Sequence, residues 1–320
     1  MGASIRTAAL PFVLATLGAC GGGGGGGGAV IAPTPSEPSP SAQTPSSTGE
    51  LALASFPVVA PNQTVVMEGT SAAMSGTQNV TGDTAIITSA NRSPIGDATV
   101  KFSFDDARTL SGITVTTPQA SFSFDRNAAG HNVSCSGGIC VAEKPGIEAM
   151  AMDPFVVGWN YQSLGAWGMK LDTPSWQLGA VSAGTPTSGS SLPTTGSATF
   201  SGLAAGFYID PAGTPYGTTA NMRADVNFGS RSIGFSTSNT QVKNTNTNVR
   251  TTETGLNLSG SLSYAPGVNA FSGSVQTQNT LLGGQAGGRF YGPAAEEIGG
   301  VYSLQGAGVS RMLGGFGGKR

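Results

Sequence analysis

Charge is scarce in this sequence. Lys, Arg, Asp and Glu make up 10% of its 320 residues, against roughly 25% in an average soluble protein. The net charge is −2, so there is no basic footprint and no nucleic-acid partner is expected. So few charges also argue against a chain kept unfolded by charge repulsion. Histidine occurs once, as His131, and cysteine three times. That leaves no zinc-finger or His-rich ligand set, and no metal site is expected. The G-x-S-x-G elbow with a partner His, the H-E-x-x-H pair and the P-loop are all missing. With a lone His, a His-dependent triad is not assembled. The sequence therefore reads as a non-enzyme without a cofactor. After residue 20 no apolar stripe of helical period runs beyond two turns. Glycine, in contrast, is abundant, with 50 residues. A chain rich in Gly, Ser and Thr with few helix formers points to an all-β exported protein, long enough for two modest domains.

Residues 1–19 read as a signal peptide. Arg6 supplies a short basic region, and Ala8 to Leu17 is mostly apolar. That run of about ten residues suits a signal peptide, whereas a membrane-spanning helix needs about 20. Leu17-Gly18-Ala19-Cys20 places a large apolar residue and two small ones before a cysteine. The pattern resembles the lipobox of bacterial lipoproteins, with Cys20 as the lipidated residue. Acyl chains anchor by burying CH₂ groups, and two or more hold stably where one does not. The competing reading is an ordinary secretory signal with a chance cysteine. It leaves unexplained the eight glycines Gly21–Gly28 and the Pro/Ser/Thr run that ends at Glu50. Those residues, with Cys20, form an expected tether over 20–50. Its r.m.s. span is roughly 30 Å, and at full stretch it reaches on the order of 100 Å. Gly21 stands where an Asp tends to retain enteric lipoproteins in the inner membrane, which favours the outer membrane.

From residue 51 onward, short segments alternate or run apolar between Gly, Asn and Pro. Val100, Phe102 and Phe104 alternate with Lys101 and Ser103, the period of a half-buried strand. Ile147–Met152 is the best short helical candidate, cut off by Pro154. Asp105-Asp106 reads as a turn after a strand. Cys135 and Cys140 flank Ser-Gly-Gly-Ile, a turn sequence. In an exported chain with only two remaining thiols they are expected to form a disulfide clamping a hairpin. His131, just before them, is expected to be an exposed loop residue. Further on, Met222, Ala224 and Val226 alternate with Arg223, Asp225 and Asn227, and Leu256, Leu258, Leu262 and Tyr264 fall at even positions. Successive hairpins with one apolar face must close into a barrel or stack as a sandwich.

One segment is more specific. Gly288-Arg289-Phe290-Tyr291-Gly292-Pro293-Ala294-Ala295-Glu296-Glu297-Ile298-Gly299-Gly300 resembles the G-x-F-Y-G-P-x-A-x-E-x-G-G signature of the transferrin-binding protein B family of surface lipoproteins. Tyr161 to Trp167 is similar to the Tyr-x-x-x-Gly-x-Trp that opens that family's barrel. Gly196 to Gly202 is similar to its G-x-A-x-Y-x-G strand, with Phe200 in place of Tyr, and the Phe316 to Arg320 ending also fits. The resemblance implies a β-rich handle domain, expected over 51–155, followed by an eight-stranded antiparallel β-barrel over 156–320.

The residue-level reading of the signature is structural. Gly292-Pro293 stops a strand, Ala294 and Ala295 allow a tight crossing, and Gly299-Gly300 lets the strand Val301–Leu304 start. Adjacent Glu296 and Glu297 point apart on an extended segment, so they make no catalytic pair. One of them is expected to accept backbone N–H bonds within the barrel.

The implied function is capture of an extracellular ligand, an iron or haem source being one class, for an outer-membrane transporter or translocon. The partners expected are the outer membrane through the lipid anchor and that transporter, with the ligand unidentified. The alternative is an envelope-associated structural lipoprotein without a small ligand. Ligand contacts would lie on loops, for which Asn239–Thr252, Thr185–Thr195 and Asp210–Thr219 are the candidates.

Overall fold

The computed structural model describes residues 50–320. Cys20, the signal segment and the tether before Glu50 lie outside the described residues. The first sheet has eleven strands. They are β1 (Glu50–Ala52), β2 (Thr64–Thr81), β3 (Thr84–Arg92), β4 (Gly96–Phe104), β5 (Leu110–Thr116), β6 (Ser121–Asp125), β7 (Asn132–Ser136), β8 (Ile139–Lys144), β9 (Ile147–Met152), β10 (Gln162–Lys170) and β11 (Ser175–Gly184). Their order is β6-β5-β4-β2-β11-β10-β9-β8-β7, with β1 and β3 also on β2, and the sheet curls into a nearly closed barrel-like shape. Its core holds Phe102, Phe104, Phe122, Phe124 and Trp167.

The second sheet is built from β12 (Ser197–Ile209), β13 (Pro215–Asn227), β14 (Ser232–Asn244), β15 (Arg250–Thr252), β16 (Leu258–Tyr264), β17 (Phe271–Thr277), β18 (Gly283–Tyr291), β19 (Glu297–Gln305) and β20 (Arg311–Lys319). Apart from β15, a short addition to β14, each strand pairs antiparallel with the next. β20 returns to β12, from Ser201↔Lys319 to Ile209↔Arg311, and closes an eight-stranded barrel. Met222, Ala224 and Val226 point inward as their period requires, while Arg223 and Asp225 form an exposed ion pair outside. Phe200, Phe235, Phe271, Phe290 and Phe316 fill the interior, which is a packed core.

The structure differs from the sequence expectation at four places. The family motif puts β10 at the opening of the barrel, whose start is expected at 156. Instead β10 and β11 belong to the first sheet, β11 running along β2 from Ser175↔Thr77 to Gly184↔Glu68. The chain changes sheets between Gly184 and Ser197, because a strand's own period does not say which strand it will pair with. Ile147–Met152 is a strand between β8 and β10, not a helix. Ala149 and Ala151 alternate into the core there, and ladder hydrogen bonds on both sides override helix propensity. The strand expected to start at Val301 begins at Glu297. His131 is half-buried. Its Nδ1 accepts the Asp125 N–H at 3.1 Å, and its ring meets Phe124 edge-on.

Two expectations hold locally. Cys135 and Cys140 are disulfide-bonded opposite one another in the β7–β8 hairpin. Asp105 organises its turn, its carboxylate accepting the N–H groups of Ala107 and Thr109 and pairing with Arg126 at 3.1 Å.

Candidate functional site

The signature residues gather at one end of the barrel, where it meets the handle. Gly292 ends β18 with φ of 89°, a conformation that favours glycine. Its N–H donates to the Thr185 carbonyl at 2.9 Å, and the Thr187 hydroxyl donates to its carbonyl at 2.6 Å. Asn269 accepts the Phe290 N–H at 2.8 Å and donates to the carbonyls of Phe290 and Thr187, both at 2.8 Å. Ala295 also has positive φ, 60°, and is fully buried. Pro293 and Ala294 lie exposed on the turn. Phe290 packs in the barrel core against Phe200, Phe228, Tyr264 and Phe271.

Glu297 is the charged centre of this junction. It is 2% exposed. Its carboxylate accepts the Asn160 N–H at 2.6 Å and the Tyr161 N–H at 3.1 Å. The expected backbone acceptor is thus real, but its donors precede β10 in the handle sheet and are not in the barrel. Burial pushes the Glu297 carboxyl above its ordinary range, opposed by those two donors and by the Lys319 charge. Glu296 turns the other way and accepts the Ala294 N–H at 2.8 Å.

Gln162 completes the joint from the handle side. Fully buried, it donates to the carbonyls of Ile298 at 2.9 Å and Gly318 at 3.0 Å. The Tyr291 hydroxyl donates to the Ser182 carbonyl at 3.1 Å, and burial pushes Tyr291 up to about 12. Gly299 is required by close approach, because a Cβ there would sit 2.1 Å from Gln162 Oε1 and 2.4 Å from Ser182 Oγ. Gly288 and Gly300 face each other across β18 and β19. Beside this polar lock, Ala72, Met74, Trp176 and Leu178 of the handle pack on Phe207, Val301 and Leu313 of the barrel. The signature therefore joins the two sheets.

The opposite end of the barrel is different in character. The turns after β12, β14, β17 and β19 emerge there. Tyr208 and Tyr216 stack with ring centroids 5.7 Å apart, and the Tyr216 hydroxyl donates to Asp210 at 3.3 Å. Val249 and Leu281 are exposed at this end. The β2–β3 hairpin reaches the same end. Asn246 makes two 2.9 Å hydrogen bonds with the Ala85 backbone, and the Ile87 N–H donates to the Gly213 carbonyl at 2.8 Å.

Two of the three candidate loops, Asp210–Thr219 and Asn239–Thr252, come together here. Much of each is strand, since β13 starts at Pro215 and β14 runs to Asn244. The third, Thr185–Thr195, lies at the signature end, stitched to Gly292 and Phe290. Sequence reasoning missed the joint residues Gln162, Ser182, Thr187 and Asn269. A Gln inside an otherwise apolar and small-residue strand was the one available signal.

This architecture, a packed eight-stranded barrel fused through a Gly-rich turn to a second, nearly closed sheet, defines a class of two-sheet β protein. Residues 192–320 match the family described as C-lobe and N-lobe beta barrels of Tf-binding protein B. The match covers the barrel alone and agrees with the resemblance that the signature carries. Among solved structures, a transferrin-binding protein B mutant from Haemophilus parasuis Hp5 is similar at 11% identity and TM-score 0.37, over 80% of this chain and 76% of its own. The isotype 1 protein from serogroup B Neisseria meningitidis is similar at 13% identity and TM-score 0.38, over 81% and 77%. A mutant from Actinobacillus pleuropneumoniae H49 is similar at 10% identity and TM-score 0.39, over 78% and 98%. No curated protein matches.

Proposed function

We propose that the chain is an outer-membrane lipoprotein, anchored at Cys20 and tethered through residues 20–50, that captures an extracellular ligand at the end of its barrel away from the signature. The observation that supports this reading is the contrast between the barrel's two ends. One end is committed to the handle through Glu297, Gln162 and Tyr291. The other presents stacked Tyr208 and Tyr216 with exposed Val249 and Leu281. Tyrosine is enriched among the residues that anchor protein interfaces. The family name points to an iron-carrying protein of transferrin type as the ligand class, passed on to an outer-membrane transporter. A haem source is the second class within the same reading.

The full lipidated chain in detergent is measured for binding to iron-loaded transferrin by interferometry, and to haem by absorbance titration. Binding to either is expected, and Leu281→Asp with Val249→Asp weakens it at least tenfold. His131→Ala leaves haem absorbance unchanged, since its Nδ1 is held by the Asp125 N–H. Failure to bind either probe removes the iron-source reading. Cys20→Ser is expected to move the protein from the membrane to the soluble fraction.

A further inference from the structure

Between the handle and the flank of the barrel lies a cleft of about 660 Å³. Its floor is barrel exterior, with Ser272 on β17, Arg289 on β18 and Ser303 on β19. Its wall is Thr70 on β2, Arg92 at the end of β3, the turn that follows it, and Asp97 on β4. Three polar atoms of this lining are buried with no hydrogen-bond partner: the Thr70 hydroxyl, the Ser303 hydroxyl and Arg289 Nε. Thr70 is 8% exposed and Ser303 2%. Folded proteins leave few such atoms, and each calls for an explanation. Three in one cleft have a common one, a polar occupant.

The charges say which kind. Two guanidinium groups and one carboxylate line the cleft. Arg289 Nη2 donates to Asp97 at 2.8 Å, but Asp97 is a rim residue with its side chain 87% exposed. It takes only one arm of the guanidinium fork, and Nε is left over. A fork with a spare N–H suits an oxygen of a carboxylate or phosphate. Arg92 braces the wall against the floor, donating to the Ser303 carbonyl and to Gln305, both at 3.1 Å. Arg311 stands near enough that its own pKa is pushed down by burial and by Arg92.

We propose that this cleft binds a small ligand bearing an oxyanion, carboxylate or phosphate, seated on the Nε edge of Arg289 between the hydroxyls of Thr70 and Ser303. The site lies on the flank, away from the barrel loops, and does not depend on what those loops capture. An occupant would touch both sheets and stiffen their junction.

Isothermal titration of the full lipidated chain in detergent, with citrate and with inorganic phosphate as probes, tests this. At least one probe is expected to give saturable binding of one molecule per chain, and the preference between them assigns the oxyanion. Ser272→Trp closes the mouth from an exposed position without removing a hydrogen bond given to any neighbour, and is expected to weaken binding at least tenfold. Arg289→Lys keeps the charge beside Asp97 but loses the fork, and is expected to do the same with an unchanged melting temperature. Absence of saturable binding by both probes overturns the proposal. So does wild-type affinity in either variant.

Discussion

The barrel is antiparallel throughout and the handle is antiparallel apart from the parallel β1–β2 pair, but the two are assembled by opposite rules. In the barrel nearly every strand pairs with its sequence neighbour, and only the β12–β20 seam joins distant residues. In the handle, β2 pairs with β1, β3, β4 and β11, so its centre waits on residues about a hundred positions away. Local pairing is faster to form because less chain entropy is lost before contacts form. β2 also changes surroundings along its length. Its burial alternates at first, becomes continuous over Gly69–Met74 between handle and barrel, and fades at the exposed tip.

That contrast can be broken at the joint first. Glu297→Ala strips the acceptor from the Asn160 and Tyr161 N–H groups. Two backbone N–H groups lose a charged acceptor, at a cost of roughly 2–4 kcal/mol. In urea denaturation monitored by both tryptophan fluorescence and far-UV circular dichroism, the variant is expected to unfold earlier, with the two signals no longer coincident. Coincident curves at the wild-type midpoint would show that Glu297 does not hold the sheets together.

A smaller effect separates the two regions instead of uncoupling them. Replacing Cys135 and Cys140 by Ser opens the short β7–β8 loop, worth about 2 kcal/mol by loop entropy. Hydrogen exchange is expected to accelerate at β7 to β9 and stay unchanged in β16 to β20. Equal acceleration in both would mean that handle and barrel unfold as one unit.

The smallest expected effect is a pH dependence confined to the handle. Glu148 is pushed up to about 7, first by burial and then by Glu143 directly across the strand pair. Its folded pKa is above the unfolded value of 4.5. Its contribution to stability is therefore full below about pH 4.5 and is lost as pH rises through 7. Glu148→Gln is expected to narrow the difference in melting temperature between pH 5 and pH 8. An unchanged difference would place the pH dependence elsewhere.

Much of the barrel was legible because its strands have one face in a core and one in water. Met222, Ala224 and Val226 against Arg223 and Asp225 carry that alternation openly. The disulfide was legible from the turn between its cysteines. The signature was recognisable as a motif, yet its purpose was not. Glu297 reads as a charge in a Gly-rich turn until Asn160 and Tyr161 are placed against it. β10 and β11 carry the same extended pattern as barrel strands, and nothing in that pattern names β2 and β9 as their partners. Ile147–Met152 has helix-forming residues, and only the ladders on both sides make it a strand. The cleft was invisible, since Thr70, Arg92, Arg289 and Ser303 are far apart in the chain.

By itself, the sequence determined an all-β chain of alternating strands, to be closed as a barrel or stacked as a sandwich, and a family-specific turn. Those features follow from side-chain period and local turn chemistry, which neighbouring residues set. Only the tertiary structure decided where the sheets divide, that the signature is a joint, and that a polar cleft opens beside it. Those depend on which distant backbones share hydrogen bonds and which buried polar atoms are left without them, and no stretch of sequence carries that information alone.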